Sequence, residues 1–122
     1  MKKIITAITI LVSGAVLADN CDKPRDDFDD LYCLNKVYQE SDKELNSAYK
    51  SLRSFLNDEE KNKLKKTQIS WIKNRNDECS FKMDGDFFVS LGCTTSMTVA
   101  RTNHLLDRVR ECKATGCQSS KL

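Results

Sequence analysis

Hydrophobic positions return at helical spacing along most of the chain. The segment from Asp26 to Leu56 has no Gly or Pro, and its apolar side chains recur every three, four or seven residues. The members of this stripe are Leu31, Leu34, Tyr38, Leu45, Tyr49, Leu52 and Leu56. A single stripe with this period predicts an amphipathic α-helix. The capping-box sequence Asn57-Asp58-Glu59-Glu60 predicts the start of a second helix, which continues from Leu64 to Cys79. We expect the two helices to form a long antiparallel hairpin with a tight turn near Asn57.

The pattern changes in residues 80–93. The turn sequence Met83-Asp84-Gly85-Asp86 precedes a short apolar run, for which the chain offers no evident partner strand. We therefore predict a loop that is tied back by a disulfide. Thr94 or Thr95 is predicted to cap a third helix that runs to Cys112. The predicted fold class is all-α: a long antiparallel helical hairpin plus a third helix, stabilised by disulfides.

The N-terminus has the pattern of a secretory signal peptide. Two lysines precede the apolar run Ile4–Val12, and the small residue Ala18 suits cleavage by a signal peptidase. A membrane anchor is the alternative, but the apolar stretch is shorter than the roughly 20 residues that cross a bilayer. The residues before Cys21 are not the small apolar ones that lipidation requires. We predict a cleaved signal peptide over residues 1–18 and a single domain over 19–122, located in the periplasm or secreted.

The charge balance excludes a nucleic-acid-binding protein. The 122 residues include 20 basic and 18 acidic side chains, and removal of residues 1–18 leaves 104 residues with 18 of each. A neutral chain lacks the basic surface that binds nucleic acid. The charge is unevenly placed, because residues 19–30 contain six acidic and two basic side chains, while residues 31–122 contain 12 acidic and 16 basic ones.

The densest acidic run has two interpretations. It consists of Asp26, Asp27, Asp29 and Asp30. Carboxylates at the start of a helix are favoured by the helix dipole, so the run is explained as a solvated helix start. The alternative is an acidic patch that meets a cationic partner, because complementary charge speeds association. A calcium loop is a poor interpretation, since the EF-hand spacing and its glycine are absent.

Six cysteines in so short a secreted chain indicate disulfides. They allow 15 pairings. We predict the short-range pairs Cys21–Cys33, Cys79–Cys93 and Cys112–Cys117, the last of which would fix the polar tail. The chain has no Cys-x-x-Cys motif, no zinc signature and no phosphate-binding loop, and its single histidine, His104, has no nucleophile motif around it. The sequence therefore predicts a protein that is not an enzyme and uses no metal or cofactor.

A longer pattern resembles a known family. Asp42-x-x-Leu45-Asn46-x-x-Tyr49-x-x-Leu52 is followed by Leu64-Lys65-x-x-Gln68-x-x-Trp71-Ile72-x-x-Arg75-x-x-x-Cys79. Together with Cys21, Cys33 and Cys93, this pattern is similar to the LprI-type lysozyme-inhibitor family, over roughly residues 21–110. The resemblance implies a small secreted or lipid-anchored bacterial protein with a helical, cysteine-bearing domain. Two cysteines, Cys112 and Cys117, depart from the four-cysteine pattern, and the missing lipidation signal implies a free protein.

The residues of this pattern also have two interpretations. The favoured one is a structural polar network, in which Arg75 pairs with Asp42 or Glu44 across the helices, because an unpaired buried Arg is costly. The alternative is a recognition surface, since Trp, Tyr and Arg are common at interface hot spots. The residues concerned are Asp42, Asn46, Tyr49, Gln68, Trp71 and Arg75.

Together these observations predict a secreted domain that binds another protein. The expected partner is a lysozyme or another peptidoglycan-cleaving enzyme, which the domain would block by steric occlusion; no nucleic acid and no membrane span are expected. The predicted contacts are Asp26, Asp27, Asp29, Asp30, Asp84, Asp86 and Phe87. The alternatives are an immunity protein against a periplasmic toxin and a structural or adaptor protein of the envelope.

Overall fold

Three long helices make up most of the described chain. The computed structural model describes residues 20–122, so the predicted signal peptide 1–18 lies outside the described residues. The helices are α1 (Asp27–Arg53), α2 (Asp58–Glu78) and α3 (Leu91–Thr115). Short 3-10 turns at Asn20–Asp22 and Ser119–Lys121 flank them, and a two-stranded sheet of β1 (Ser80–Met83) and β2 (Asp86–Val89) separates α2 from α3. The chain is thus mainly helical with three disulfides, but it is not all-α as predicted.

The starts of α1 and α2 are fixed by local side-chain caps. The Asp26 carboxylate accepts a 2.8 Å hydrogen bond from the backbone N–H of Asp29. The Asn57 side chain accepts from the backbone N–H of Glu60 at 2.9 Å, and the Glu60 carboxylate accepts in return from the backbone N–H of Asn57 at 3.1 Å. The predicted capping box is therefore confirmed, and it satisfies two amides that would otherwise lack partners.

The third helix begins earlier than predicted. Ser90, and not Thr94 or Thr95, is its N-cap and accepts from the backbone N–H of Cys93 at 3.3 Å. The Thr94 hydroxyl instead donates to the Ser90 carbonyl, one helical turn back, at 2.7 Å. The helix also runs three residues past Cys112, to Thr115.

The predicted loop after α2 is a β-hairpin. Its strands pair antiparallel with Phe81 opposite Phe88 and Lys82 opposite Phe87. The two residues between the strands both have positive φ, 51° at Asp84 and 89° at Gly85. Positive φ at both central residues characterises the type I′ turn, which Asp-Gly favours because its twist matches that of paired strands. The prediction of a loop was wrong because each strand has only four residues and neither is buried enough to produce a hydrophobic alternation.

The closest helix pair is α1 with α3. The antiparallel hairpin of α1 with α2 stays a prediction. Small side chains explain the pairing of α1 with α3, because they allow two helix backbones to approach closely. On α1 these are Ser41 and Ala48, and on α3 they are Thr94, Thr98 and Thr102, all buried. Each of these threonine hydroxyls donates to the carbonyl four residues earlier, so its burial leaves no donor unpaired.

The buried interior has an apolar part and a polar part. The apolar cluster consists of Leu45, Ala48, Leu52, Leu56, Leu64, Leu105 and Val109. The buried polar side chains are Ser41, Gln68, Arg75, Thr94, Thr98 and Thr102. The apolar part lies toward the turn between α1 and α2, and the polar part lies toward the β-hairpin.

Within residues 20–122, none of the helices combines the length and the apolar character that crossing a bilayer requires.

Candidate interaction surface

Four segments meet at the end of the molecule that carries the β-hairpin. They are the start of α1, the end of α2, the hairpin itself and the start of α3. The Cys79–Cys93 disulfide joins the residue after α2 to the first turn of α3. A 2.8 Å hydrogen bond from the Ser90 N–H to the Cys79 carbonyl closes the base of the hairpin. The Cys21–Cys33 disulfide ties the N-terminal 3-10 turn to α1 near the same end. Together with Cys112–Cys117, these are the three pairs predicted from the sequence.

The hairpin projects from the bundle with aromatic side chains exposed. Every residue from Phe81 to Ser90 is exposed. The rings of Phe81 and Phe88 stack across the strands, with their centroids 5.2 Å apart, and Phe87 lies opposite Lys82 on the other face. Phe87 keeps 64% of its surface accessible and Phe81 keeps 53%. The stacked Phe81–Phe88 pair thus forms an exposed apolar patch, and such patches are typical of interaction sites.

A second group of exposed apolar residues lies on the first turns of α1. Phe28, Leu31 and Tyr32 border a shallow groove together with Leu91 at the start of α3. Leu91 also lines a pocket of about 290 Å³ with Phe87. The start of α1 and the hairpin are therefore neighbours across Leu91. We call the exposed residues at this end the hairpin-end surface: Phe28, Leu31, Tyr32, Phe81, Phe87 and Phe88.

The acidic residues predicted as contacts lie at this same end, but they are not equivalent. Asp26 caps α1, and Asp29 forms a 2.7 Å ion pair with Arg25. The hydrogen bond from Arg25 lowers the pKa of the Asp29 carboxyl, while both groups remain in contact with solvent. Asp27 and Asp30 lie exposed in the first turn of α1, and neither forms an ion pair with another residue of the described range.

The remaining predicted contacts belong to the hairpin. Asp84 occupies the first central position of the turn, where its positive φ is one that Asp tolerates better than most residues. Asp86 begins β2 opposite Met83, and Phe87 follows it. The structure thus brings the two predicted acidic segments to one end of the molecule, which the sequence alone did not indicate.

The two ends of the molecule differ in charge. Residues 20–36 and 73–90, at the hairpin end, contain nine acidic and six basic side chains. Residues 50–66 and 107–122, at the opposite end, contain five acidic and ten basic ones. A chain with little net charge is therefore polarised along its long axis, with the acidic end coinciding with the exposed aromatic residues.

Arg75 forms the centre of the predicted polar network. Only 6% of its surface is accessible, and its guanidinium donates to the Thr98 hydroxyl at 3.2 Å. Its Nη1 lies 3.6 Å from the Asp42 carboxylate, which is the predicted ion pair. The guanidinium carbon is 5.1 Å from the Trp71 ring centroid and 5.8 Å from that of Tyr38, which are cation–π distances.

The other predicted network residues divide into separate groups. The Asn46 amide donates to the Asp42 carboxylate at 3.5 Å. Gln68 forms no hydrogen bond with Arg75; its side-chain oxygen accepts a 2.9 Å hydrogen bond from Arg101 of α3. Tyr49 and Trp71 pack against the apolar cluster. Two members of the network, Arg101 and Thr98, were not predicted, although both lie at helical spacing on the buried side of α3.

The described residues contain no metal-binding arrangement. Across residues 20–122, no three His, Cys, Asp or Glu side chains lie close enough to hold a metal ion. All six cysteines are in disulfides.

Comparison with known proteins identifies the family. The family model described as "Lysozyme inhibitor LprI" matches residues 21–105. The chain belongs to the LprI lysozyme-inhibitor family. Neither a curated protein nor a solved structure matches it.

The region matched by the LprI family contains both features described above. It covers the hairpin-end surface and the Arg75 network, together with the Cys21–Cys33 and Cys79–Cys93 disulfides. The Cys112–Cys117 disulfide and the tail lie beyond the matched residues. The predicted family membership is confirmed. Because the family is one of lysozyme inhibitors, it implies that residues within 21–105 bind a protein partner.

Proposed function

We propose that this protein inhibits a lysozyme by binding to it and occluding its glycan cleft. The observation that carries the proposal is the LprI family match over residues 21–105, because that family is described as one of lysozyme inhibitors. Occlusion requires a folded domain with an exposed contact surface. The hairpin-end surface meets that requirement.

The contacts that we propose are the acidic and aromatic residues predicted from the sequence. They are Asp26, Asp27, Asp29, Asp30, Asp84, Asp86 and Phe87. Arg75 and its partners have a different role in this proposal: they hold the helices in place and do not touch the target. The burial of Arg75 supports that assignment, since a side chain with 6% accessible surface offers little to a partner.

The proposed location is the periplasm or the exterior of a bacterial cell. Three disulfides fit an oxidising compartment, where a peptidoglycan-cleaving lysozyme would be met. Cleavage after Ala18 would release a single domain from residue 19 onward. The mass of the protein recovered from the periplasm tests this step, because retention of residues 1–18 would add their full mass.

A turbidity assay tests the inhibitory function. Purified protein with intact disulfides is mixed at micromolar concentration with c-, g- or i-type lysozyme, and the clearing of a bacterial wall suspension is followed. We expect slower clearing with at least one lysozyme type. Reduced and alkylated protein serves as the control and should be inactive. Unchanged clearing with all three types would refute the proposal.

A further inference from the structure

We propose that the hairpin-end surface enters the target's saccharide cleft, with the Phe81–Phe88 pair supplying affinity and Asp27 and Asp30 steering the encounter. This inference rests on the proposed lysozyme inhibition and names the part of the molecule that performs it. The occupant to which it commits is the glycan-binding cleft of a lysozyme with a basic surface.

The shape of the hairpin supports insertion into a cleft. Its strands and turn are exposed from Phe81 to Val89, so the hairpin is a convex element standing out from the bundle. The Cys79–Cys93 disulfide and the Ser90–Cys79 hydrogen bond fix both of its ends to helices. A segment ordered before binding loses less conformational entropy when it docks. A convex, pre-ordered element is complementary to the concave site of an enzyme.

The chemistry of the exposed residues supports an apolar contact. Phe81 and Phe88 are stacked, yet they keep 53% and 38% of their surfaces accessible. The stacked pair therefore exposes aromatic surface that a partner can bury. Aromatic side chains in ordered positions are frequent anchors of protein interfaces because they bury much area with few rotatable bonds.

The polarisation of charge determines which end meets a basic partner. The hairpin end has three more acidic than basic side chains, and the opposite end has five more basic than acidic ones. A basic lysozyme is therefore attracted to the hairpin end and repelled by the other. Such steering raises the association rate and weakens as salt screens the charges.

The structure selects which carboxylates contribute to this steering. The Asp26 carboxylate accepts a hydrogen bond as the N-cap of α1. Asp29 is paired with Arg25, so the negative charge of Asp29 is largely cancelled. Asp27 and Asp30 are exposed and make no ion pair within residues 20–122. Of the four carboxylates in the acidic run at the start of α1, these two remain available to a cationic surface.

The test compares two variants with matched controls at the opposite end. The hairpin variant is Phe81→Ser with Phe88→Ser, and its control is Phe55→Ser, an exposed Phe beyond the end of α1. The acidic variant is Asp27→Asn with Asp30→Asn. Its control is Asp58→Asn with Glu59→Gln, which removes two exposed acids from the first turn of α2. Circular dichroism and melting curves verify that all four variants are folded.

Binding to an immobilised basic c-type lysozyme is measured by surface plasmon resonance, with and without a soluble N-acetylglucosamine oligomer. We expect the hairpin variant to raise Kd by about 30-fold or more, mainly through faster dissociation. The acidic variant should slow association about threefold to tenfold at low salt and match the unmodified protein near 300 mM salt. The controls should stay within about twofold, and the oligomer should compete with binding.

The outcomes separate this inference from the proposed function. If the unmodified protein does not slow lysozyme in the turbidity assay, the proposed function fails and this inference fails with it. If it inhibits but the hairpin variant binds as tightly as the Phe55→Ser control, only the surface assignment is overturned. Binding that the oligomer does not reduce would also overturn it, because the contact would then lie outside the saccharide cleft.

Discussion

Arg75 links the three helices at the point where the apolar core ends. It extends from α2 between the rings of Tyr38 and Trp71, and it donates to Thr98 of α3. The Asp42 carboxylate that pairs with it is partly exposed, with 42% of its side chain accessible. The ion pair itself is therefore screened, and the larger contribution comes from the buried stacking and the hydrogen bond to Thr98.

We predict that Arg75→Ala lowers the free energy of unfolding by about 2–4 kcal/mol, because it empties a buried site and leaves the Thr98 hydroxyl without this donor. Arg75→Lys should recover only part of the loss, since an ammonium group cannot reproduce the planar stacking. Denaturant unfolding measures both variants. Inhibition per folded molecule should stay unchanged; lost binding at an unchanged melting temperature would instead make Arg75 a contact residue.

At the level of elements, the hairpin depends on its turn. Gly85 has a φ of +89°, which residues with a Cβ rarely adopt, whereas Gly92 lies in the first turn of α3 with ordinary helical geometry. A Cβ added at either position would meet no atom within 4 Å. The two glycines therefore differ in backbone conformation and not in available space, which makes them a matched pair.

We predict that Gly85→Ala destabilises the hairpin by about 1 kcal/mol, while Gly92→Ala stabilises α3 by about 0.5 kcal/mol. Amide hydrogen exchange of β1 and β2 should quicken in the first variant. The melting temperature should rise slightly in the second. Equal effects of the two substitutions would show that the positive φ at Gly85 costs nothing.

The disulfides should differ in their contribution to stability. Cys79 and Cys93 are separated by 14 positions, and Cys112 and Cys117 by 5. Because a crosslink that closes a longer loop removes more entropy from the unfolded chain, replacing both cysteines of the first pair by serine should cost about 1 kcal/mol more than replacing the second pair. Thermal unfolding of the two double variants measures this. The first variant should also inhibit less, since its hairpin is no longer fixed.

How far the elements could be predicted depended on how local their signals are. The starts of α1 and α2 follow from caps within three residues of the helix start, and Asn57 and Glu60 indicate theirs directly. The sequence could not show that Ser90 and not Thr94 caps α3. Both residue types are common N-caps, and a threonine inside a helix can instead donate to its own helix backbone. The Asp84-Gly85 turn was recognised, but the strands beside it bury nothing and so lack a periodic signal.

The site was predicted in parts and not as a whole. The acidic run and Phe87 are visible in the sequence, whereas the stacking of Phe81 on Phe88 requires the strand register. The partner of Gln68 was missed for a related reason. Helical spacing shows that Gln68 faces inward, but only the packing of α2 beside α3 reveals that Arg101 meets it.

Considered as a whole molecule, the chain is closed at the end opposite the hairpin by its own tail. Lys63 of α2 donates to the Ser119 carbonyl, and the Ser119 hydroxyl donates to Glu60 at 2.8 Å. Lys121 pairs with Glu111 of α3 at 3.0 Å, and Leu122 packs against the apolar cluster. The tail thereby connects α2 with α3, and His104 lies partly buried beneath it with a hydrogen bond to the Lys121 backbone.

The stability of the folded chain is sensitive to mildly acidic pH through His104. The pKa of His104 is lowered mainly by burial. The nearby charges of Arg101 and Arg108 lower it further, and the hydrogen bond with the Lys121 backbone raises it. Because the folded pKa lies below the unfolded value of about 6.5, the unfolded state takes up a proton first as pH falls. Stability should therefore be highest above that value and decline as pH falls through it toward the folded pKa.

We predict that His104→Gln removes this part of the pH dependence. The chain has a single histidine, so no other imidazole contributes in the same window. The melting temperature is measured at steps from about pH 7.5 to about pH 5.5, a range above the titration of most carboxylates. The unmodified protein should lose stability across this range, while the variant should show a flatter profile. Parallel profiles would mean that His104 is protonated equally easily in the folded and unfolded states.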